Sequence, residues 1–213
     1  MPFNFPKIYP ILDSLFIPAF GREEFLDTLG RALAEAGVTL LEYRNKMGSD
    51  AELISDAGIL RRAMPAGKVK LILDDRADLV EMIWFDGVHV DSGDVSASEA
   101  RRLLGPSRIV GTFGGSESFL PGILDEPADY FAVGPVYTTT TKQTDKLPIG
   151  PEGVRRLRDK AGPNVVLTAA AGITLENAQA VLDAGANTVA VAAAIFRAVD
   201  PAAEFERWLE QLR

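Results

Sequence analysis

Apolar and β-branched residues along the chain gather in short runs, and stretches of helical spacing separate them. Runs at 8–12, 38–43, 69–73, 87–90, 108–111, 130–133, 165–169 and 188–191 predict strands. Phe25, Leu26, Leu29, Leu33 and Ala36 recur at helical spacing until Gly37 stops the pattern. Further helical patterns cover about 51–64, a short stretch up to Trp84, and about 96–104. Thr174 can cap a helix whose Ala178, Val181 and Leu182 face inward. In the last helix Phe205, Trp208, Leu209 and Leu212 stand at i, i+3, i+4 and i+7. Eight strand–helix units at fairly even spacing imply a parallel sheet, and eight such units close into a (β/α)8 barrel. No linker, low-complexity tract or shift in composition divides the chain, so 1–213 is read as one domain.

Composition narrows the chemistry. A 47% hydrophobic and 24% charged chain is ordinary for a soluble globular protein. The net charge of −8 argues against a general nucleic-acid surface, so any anionic ligand has to be held by a local cluster of cations. With no cysteine, disulfides, thiolate metal sites and a cysteine nucleophile are excluded. The start of the chain is broken by prolines and lacks a secretory apolar segment, and no run reaches membrane-spanning length. A cytoplasmic protein acting on small molecules, with no membrane partner, is the expectation, and a homo-oligomer is compatible with it.

In such barrels, active sites sit at the C-terminal ends of the strands. Those ends carry Arg44 and Lys46 after the second strand and Asp74, Asp75 and Arg76 after the third. Asp91 and Asp94 follow the fourth, and four threonines ending in Lys142 follow the sixth. Residues far apart in sequence thus converge on one mouth. Asp75 and Asp94, from neighbouring strands, could share Mg²⁺, which takes one or two carboxylates together with phosphate oxygens and water. Capping of the helices that follow would account for them equally well. Gly172 and the run from Ala192 to Ala194 could present backbone amides to a phosphate, or could simply allow tight helix–strand packing. The threonine loop could close on an anion or stand solvated. For His89, the sole histidine, alternation does not say which side of the sheet it faces, and a structural role is the simpler reading.

Together, Glu42-Tyr-Arg44-Asn-Lys46, Asp74-Asp75-Arg76, Asp86-Gly-Val-His-Val90, Gly134-Pro-Val-Tyr-Thr-Thr-Thr-Thr-Lys142, Ala171-Gly-Ile-Thr174 and Val191-Ala-Ala-Ala-Ile-Phe196 cover most of the chain. In these segments it resembles the thiamine phosphate synthases, whose relatives include thiazole tautomerases. The resemblance implies condensation of hydroxymethylpyrimidine diphosphate with thiazole phosphate, releasing pyrophosphate with Mg²⁺ bound. It implies that Arg44, Lys46 and Lys142 hold the diphosphate, that Asp75 and Asp94 bind the metal, and that Thr139, Thr141, Gly172, Ala192 and Ala193 meet the thiazole phosphate. It also implies a dissociative course in which the diphosphate leaves before the thiazole nitrogen attacks.

Several positions depart from the family pattern. Glu42 stands where the family has glutamine and Asp74 where it has asparagine, and both add negative charge beside a diphosphate. Pairing of Glu42 with Arg44 or Lys46 would offset part of this. Gly111-Thr-Phe replaces Gly-Val-Ser, leaving Thr112 as a displaced hydroxyl, and Ala193 replaces a serine. Glu42, Asp74 and Thr112 are counted among the substrate contacts. A tautomerase would want a histidine after the fifth strand, where Phe113-Gly-Gly115 offers none. A Schiff-base aldolase would want a lysine within 130–133, which has none. A binding paralogue without turnover is the rival from another class.

Overall fold

In the computed structural model, which describes residues 3–139 and 145–212, the strands close on themselves. They are β1 (Ile8–Asp13), β2 (Leu40–Arg44), β3 (Lys70–Asp74), β4 (Gly87–Val90), β5 (Ile109–Gly115), β6 (Tyr130–Val133), β7 (Leu167–Ala170) and β8 (Thr188–Val191). Each pairs in parallel with the next, and β8 returns to β1 with Tyr9 opposite Ala190. The expected (β/α)8 barrel is therefore observed.

Around it lie α1 (Arg22–Glu35), α2 (Asp50–Ala63), α3 (Ala97–Leu104), α4 (Gly150–Ala161), α5 (Leu175–Asp183), the single turn α6 (Ala193–Phe196) and α7 (Pro201–Gln211). Two connections differ from the even strand–helix alternation. After β3 the expected short helix is a 3-10 turn (Ala77–Leu79) followed by turns, and after β5 the chain forms only a 3-10 turn (Ile123–Asp125). Pro121 and Pro127 account for the second, because each removes an amide donor and restricts the residue before it. The first connection still buries Val80, Ile83 and Phe85 against the barrel.

Alternation along the strands sorts the side chains into two layers. Leu41, Tyr43, Leu71, Leu73, Val88, Val110 and Phe131 point outward to a core completed by helix residues such as Leu26, Leu33, Leu60, Leu157 and Trp208. The opposite faces fill the lumen with Tyr9, Leu40, Ile72, Ile109 and Tyr130, against which Phe3 and Phe5 pack. Every second residue of that inner face, followed toward the C-terminal strand ends, leads to the mouth.

Candidate active site

The inner faces open at their C-terminal ends into a cavity of about 790 Å³. On one wall stand Asp13, Glu42, Arg44 and Asp74, from the ends of β1, β2 and β3. Arg44 donates from Nη1 to Asp13 Oδ2, and its Nε lies 3.2 Å from Asp74 Oδ2. Lys46 Nζ is also 3.2 Å from Asp74 Oδ2 and donates to Asp75 Oδ2. Burial lowers the affinity of the Lys46 amine for its proton, but Asp74 and Asp75 together hold its pKa above the ordinary value. Burial, then the charge of Asp75, pushes Asp74 up to about 6, so it is mostly ionised at neutral pH. The two cations thus face four carboxylates, counting Asp94.

Capping does not explain Asp75 and Asp94. Ser96 is the N-cap of α3, where it forms a reciprocal pair with Glu99, and Arg76 precedes the 3-10 turn. Asp75 instead adopts φ = 67°, a left-handed conformation uncommon for a side-chain-bearing residue. Its Oδ1 is buried and accepts no hydrogen bond among the described residues. Asp94 is held by the Asp91 amide at 2.8 Å, while burial and proximity to Asp75 raise its pKa. Two carboxylates pressed together, one with an unpartnered buried oxygen, form a donor set that suits a hard divalent cation completed by phosphate and water. No third His, Cys, Asp or Glu joins them among the described residues.

Beneath this wall runs a chain of hydrogen bonds. Tyr9 donates to Glu42 Oε2 at 2.8 Å, the Tyr9 and Tyr130 hydroxyls lie 3.0 Å apart, and Tyr130 Oη lies 3.0 Å from His89 Nδ1. Since Tyr9 spends its proton on Glu42, its oxygen accepts from Tyr130, which in turn accepts from Nδ1–H. His89 therefore faces the lumen, where its ring stacks on Tyr130 at 5.5 Å. Gly111 makes room for that ring, since a Cβ there would lie 1.9 Å from Tyr130 Cζ. Burial, reinforced by the charge of Asp74, pushes Glu42 up to about 8. Glu42 is consequently mostly neutral at pH 7, and its hydrogen-bond partner is Tyr9 rather than Arg44 or Lys46. The charge expected from this departure is not expressed.

The opposite wall is made of small residues. Gly172 (φ = 67°) packs so closely on the β6 loop that a Cβ would come within 2.5 Å of Thr138 O. The amides of Val136 and Tyr137 donate to Ala170 O and Ala171 O at 2.9 and 3.1 Å, fixing the base of the threonine loop against β7. Thr138, Thr139, Gly172, Ala192 and Ala193 line the cavity, as does Arg197 at the end of α6. Thr141 and Lys142 lie outside the described residues. Lys146, farther along the same loop, sits 3.9 Å over the Phe113 ring.

Of the residues expected from sequence, Glu42, Arg44, Asp74, Thr139, Gly172, Ala192 and Ala193 line one cavity. Lys46 joins its rim by ion pairs to Asp74 and to Asp75. Thr112 does not line the cavity. It is buried on the face of β5 opposite Phe113, and Phe113 is the one that reaches the cavity. Tyr9, Tyr130, Phe113, Lys146, Thr168 and Arg197 were not anticipated. Period two from Asp13 and Asp74 would have pointed to Tyr9 and Ile72 on the lumen face, but nothing local marks Arg197.

The sequence model of the family described as thiamine monophosphate synthase matches residues 8–195. A thiamine-phosphate synthase of Koribacter versatilis is 40% identical over 210 residues, covering 97% of this chain and 96% of the relative. One from Agrobacterium fabrum is 38% identical over 178 residues, covering 82% and 81%. Among solved structures, a thiamine phosphate pyrophosphorylase from Pyrococcus furiosus superposes with a TM-score of 0.78 at 26% identity, covering 97% of this chain and 95% of that one.

Proposed function

The chain belongs to the thiamine monophosphate synthase family, and we propose that it condenses hydroxymethylpyrimidine diphosphate with thiazole phosphate to give thiamine phosphate and pyrophosphate. The observation that carries this reading is a single cavity with a charged wall on one side and a wall of small residues on the other. One wall suits a diphosphate and the other a monophosphate, so two phosphorylated substrates meet across the lumen.

In this reading Arg44 and Lys46, with Lys142, hold the diphosphate. Negative charge builds on the departing pyrophosphate, so these cations stabilise the transition state more than the ground state. Asp75 and Asp94 would hold Mg²⁺, which when bound neutralises the leaving group as a Lewis acid. Asp74 lies within 3.2 Å of both cations and orients them. Neutral Glu42 offers a hydrogen-bonding group from the floor without repelling the diphosphate. Thr139, Thr141 and the amides near Gly172, Ala192 and Ala193 receive the thiazole phosphate. The one-turn α6 has little macrodipole to add to these donors. The pyrimidine methylene cation left behind is captured by the thiazole nitrogen, and no general base is required.

Purified protein given both substrates and Mg²⁺ is expected to release thiamine phosphate and pyrophosphate in equal amounts. Each charge-assisted contact contributes roughly 1.5–3 kcal/mol, so Asp75→Asn and Lys142→Ala should each lower turnover by roughly 10- to 150-fold without unfolding the barrel. Folded enzyme that yields no product at micromolar concentration would rule the synthase out, and unchanged rates in both variants would rule out this assignment of the site.

A further inference from the structure

Among the described residues that line the cavity, Arg197 stands apart from the other cations. Arg44 is bound to Asp13 and Asp74, and Lys146 lies on Phe113. Arg197 is exposed and makes no hydrogen bond or ion pair through its side chain among the described residues. Its guanidinium is 5.7 Å from the centre of the Phe16 ring, and that ring stacks on Phe196 at 6.2 Å. The aromatic pair thus orients the cation and leaves its donors uncommitted. It rises from the end of α6, on the wall formed by Gly172 and Ala192–Ala194. Among the described residues, the rest of that wall offers a phosphate backbone and threonine donors, and Ala193 contributes no hydroxyl.

We propose that Arg197 is a specificity-determining residue, the side-chain cation that recognises the phosphate of the thiazole substrate on the β7–β8 wall. The inference rests on the synthase reading for the identity of that substrate. A guanidinium can take two phosphate oxygens at once, which suits a fork aimed across a wall of small residues. The charge that distinguishes the phosphorylated thiazole from its free alcohol is then read by this one residue.

The test compares wild type, Arg197→Ala and Arg197→Lys in steady-state kinetics with each substrate varied in turn. In Arg197→Ala the KM for thiazole phosphate should rise roughly tenfold or more, with the KM for the pyrimidine diphosphate within twofold. The preference for thiazole phosphate over the unphosphorylated thiazole alcohol should fall by a similar factor, and Arg197→Lys should recover part of it. An equal rise in both KM values, or none in either, overturns the proposal. Calorimetric titration of the same proteins with thiazole phosphate separates this idea from the one it rests on. If wild type makes no product but binding weakens in Arg197→Ala, the anion role stands and the synthase reading falls. If wild type turns over and the alanine variant binds and reacts as wild type does, the reverse holds.

Discussion

A carboxylic acid stands at position 42, but its surroundings keep it neutral. Burial inside the barrel and the nearby charge of Asp74 favour its neutral form, and the hydrogen bond from Tyr9 and the charge of Arg44 offset this only in part. Neutral, it presents one donor and one acceptor, much as an amide would, so Glu42→Gln should keep turnover within a few-fold of wild type at pH 7. The two proteins should separate as the pH passes about 8, where Glu42 ionises beside the diphosphate site and the glutamine variant does not. Wild-type turnover falling there while the variant's does not is the expected profile; coincident profiles would show that Glu42 stays neutral or stays out of the reaction. Stability follows the same proton. The folded state holds it up to about pH 8, whereas the unfolded chain releases it near its ordinary value of 4.5. The stabilising linkage is thus complete below that ordinary value and lost as pH rises through 8, so the variant should gain on wild type in denaturant melts between pH 6 and 9.

At the scale of the elements, β5 and β6 meet through a missing side chain. Tyr130 crosses the lumen because Gly111 leaves it space, and it then reaches both Tyr9 and His89. Gly111→Ala must displace the ring, at a cost of roughly 1–3 kcal/mol typical of overpacking. A thermal melt several degrees below wild type is expected, and one within a degree would show that the ring does not need the gap. The sequence showed β4, β6 and β8 at their observed bounds because each is a short run cut off by residues that end strands. It misread the segment after β3, where Val80 and Ile83 mimic helical spacing. The segment between Asp74 and Gly87 is shorter than every other strand-to-strand connection, and it returns to the start of β4 through a 3-10 turn and further turns instead of a full helix.

Over the whole molecule, the end opposite the site is held by a device repeated in three places. Arg61, Arg101 and Arg158, near the ends of α2, α3 and α4, each donate to carbonyls past their own helix. They also bond Asp86, Asp129 and Asn187, the residues just before β4, β6 and β8. Those three side chains in turn accept the amides of Leu71, Val110 and Leu167 on the strands before. The β3–β4, β5–β6 and β7–β8 pairs are thereby clasped at the bottom of the barrel, away from the mouth. Arg101→Ala leaves several carbonyls and Asp129 without their donor and should cost roughly 2–3 kcal/mol, read as a loss of several degrees in Tm. The turnover of the folded variant should match wild type; a loss of activity at full stability would mean that this end communicates with the site.

Periodicity, turn residues and the residue types at strand ends are local properties, and from them the sequence alone determined the strands, the barrel and the mouth to which Arg44, Lys46, Asp74 and Asp75 belong. Tyr9 and Tyr130, 121 residues apart, share a hydrogen bond only because the barrel closes. The burial that keeps Glu42 mostly neutral, the packing that leaves Asp75 Oδ1 without a donor among the described residues and the Phe16 ring beneath Arg197 likewise require the closed barrel. Distance and desolvation set these charges, and both are properties of residues brought together from remote parts of the chain. The tertiary structure therefore decided which of the charges at the mouth are spent on one another and which remain for a ligand.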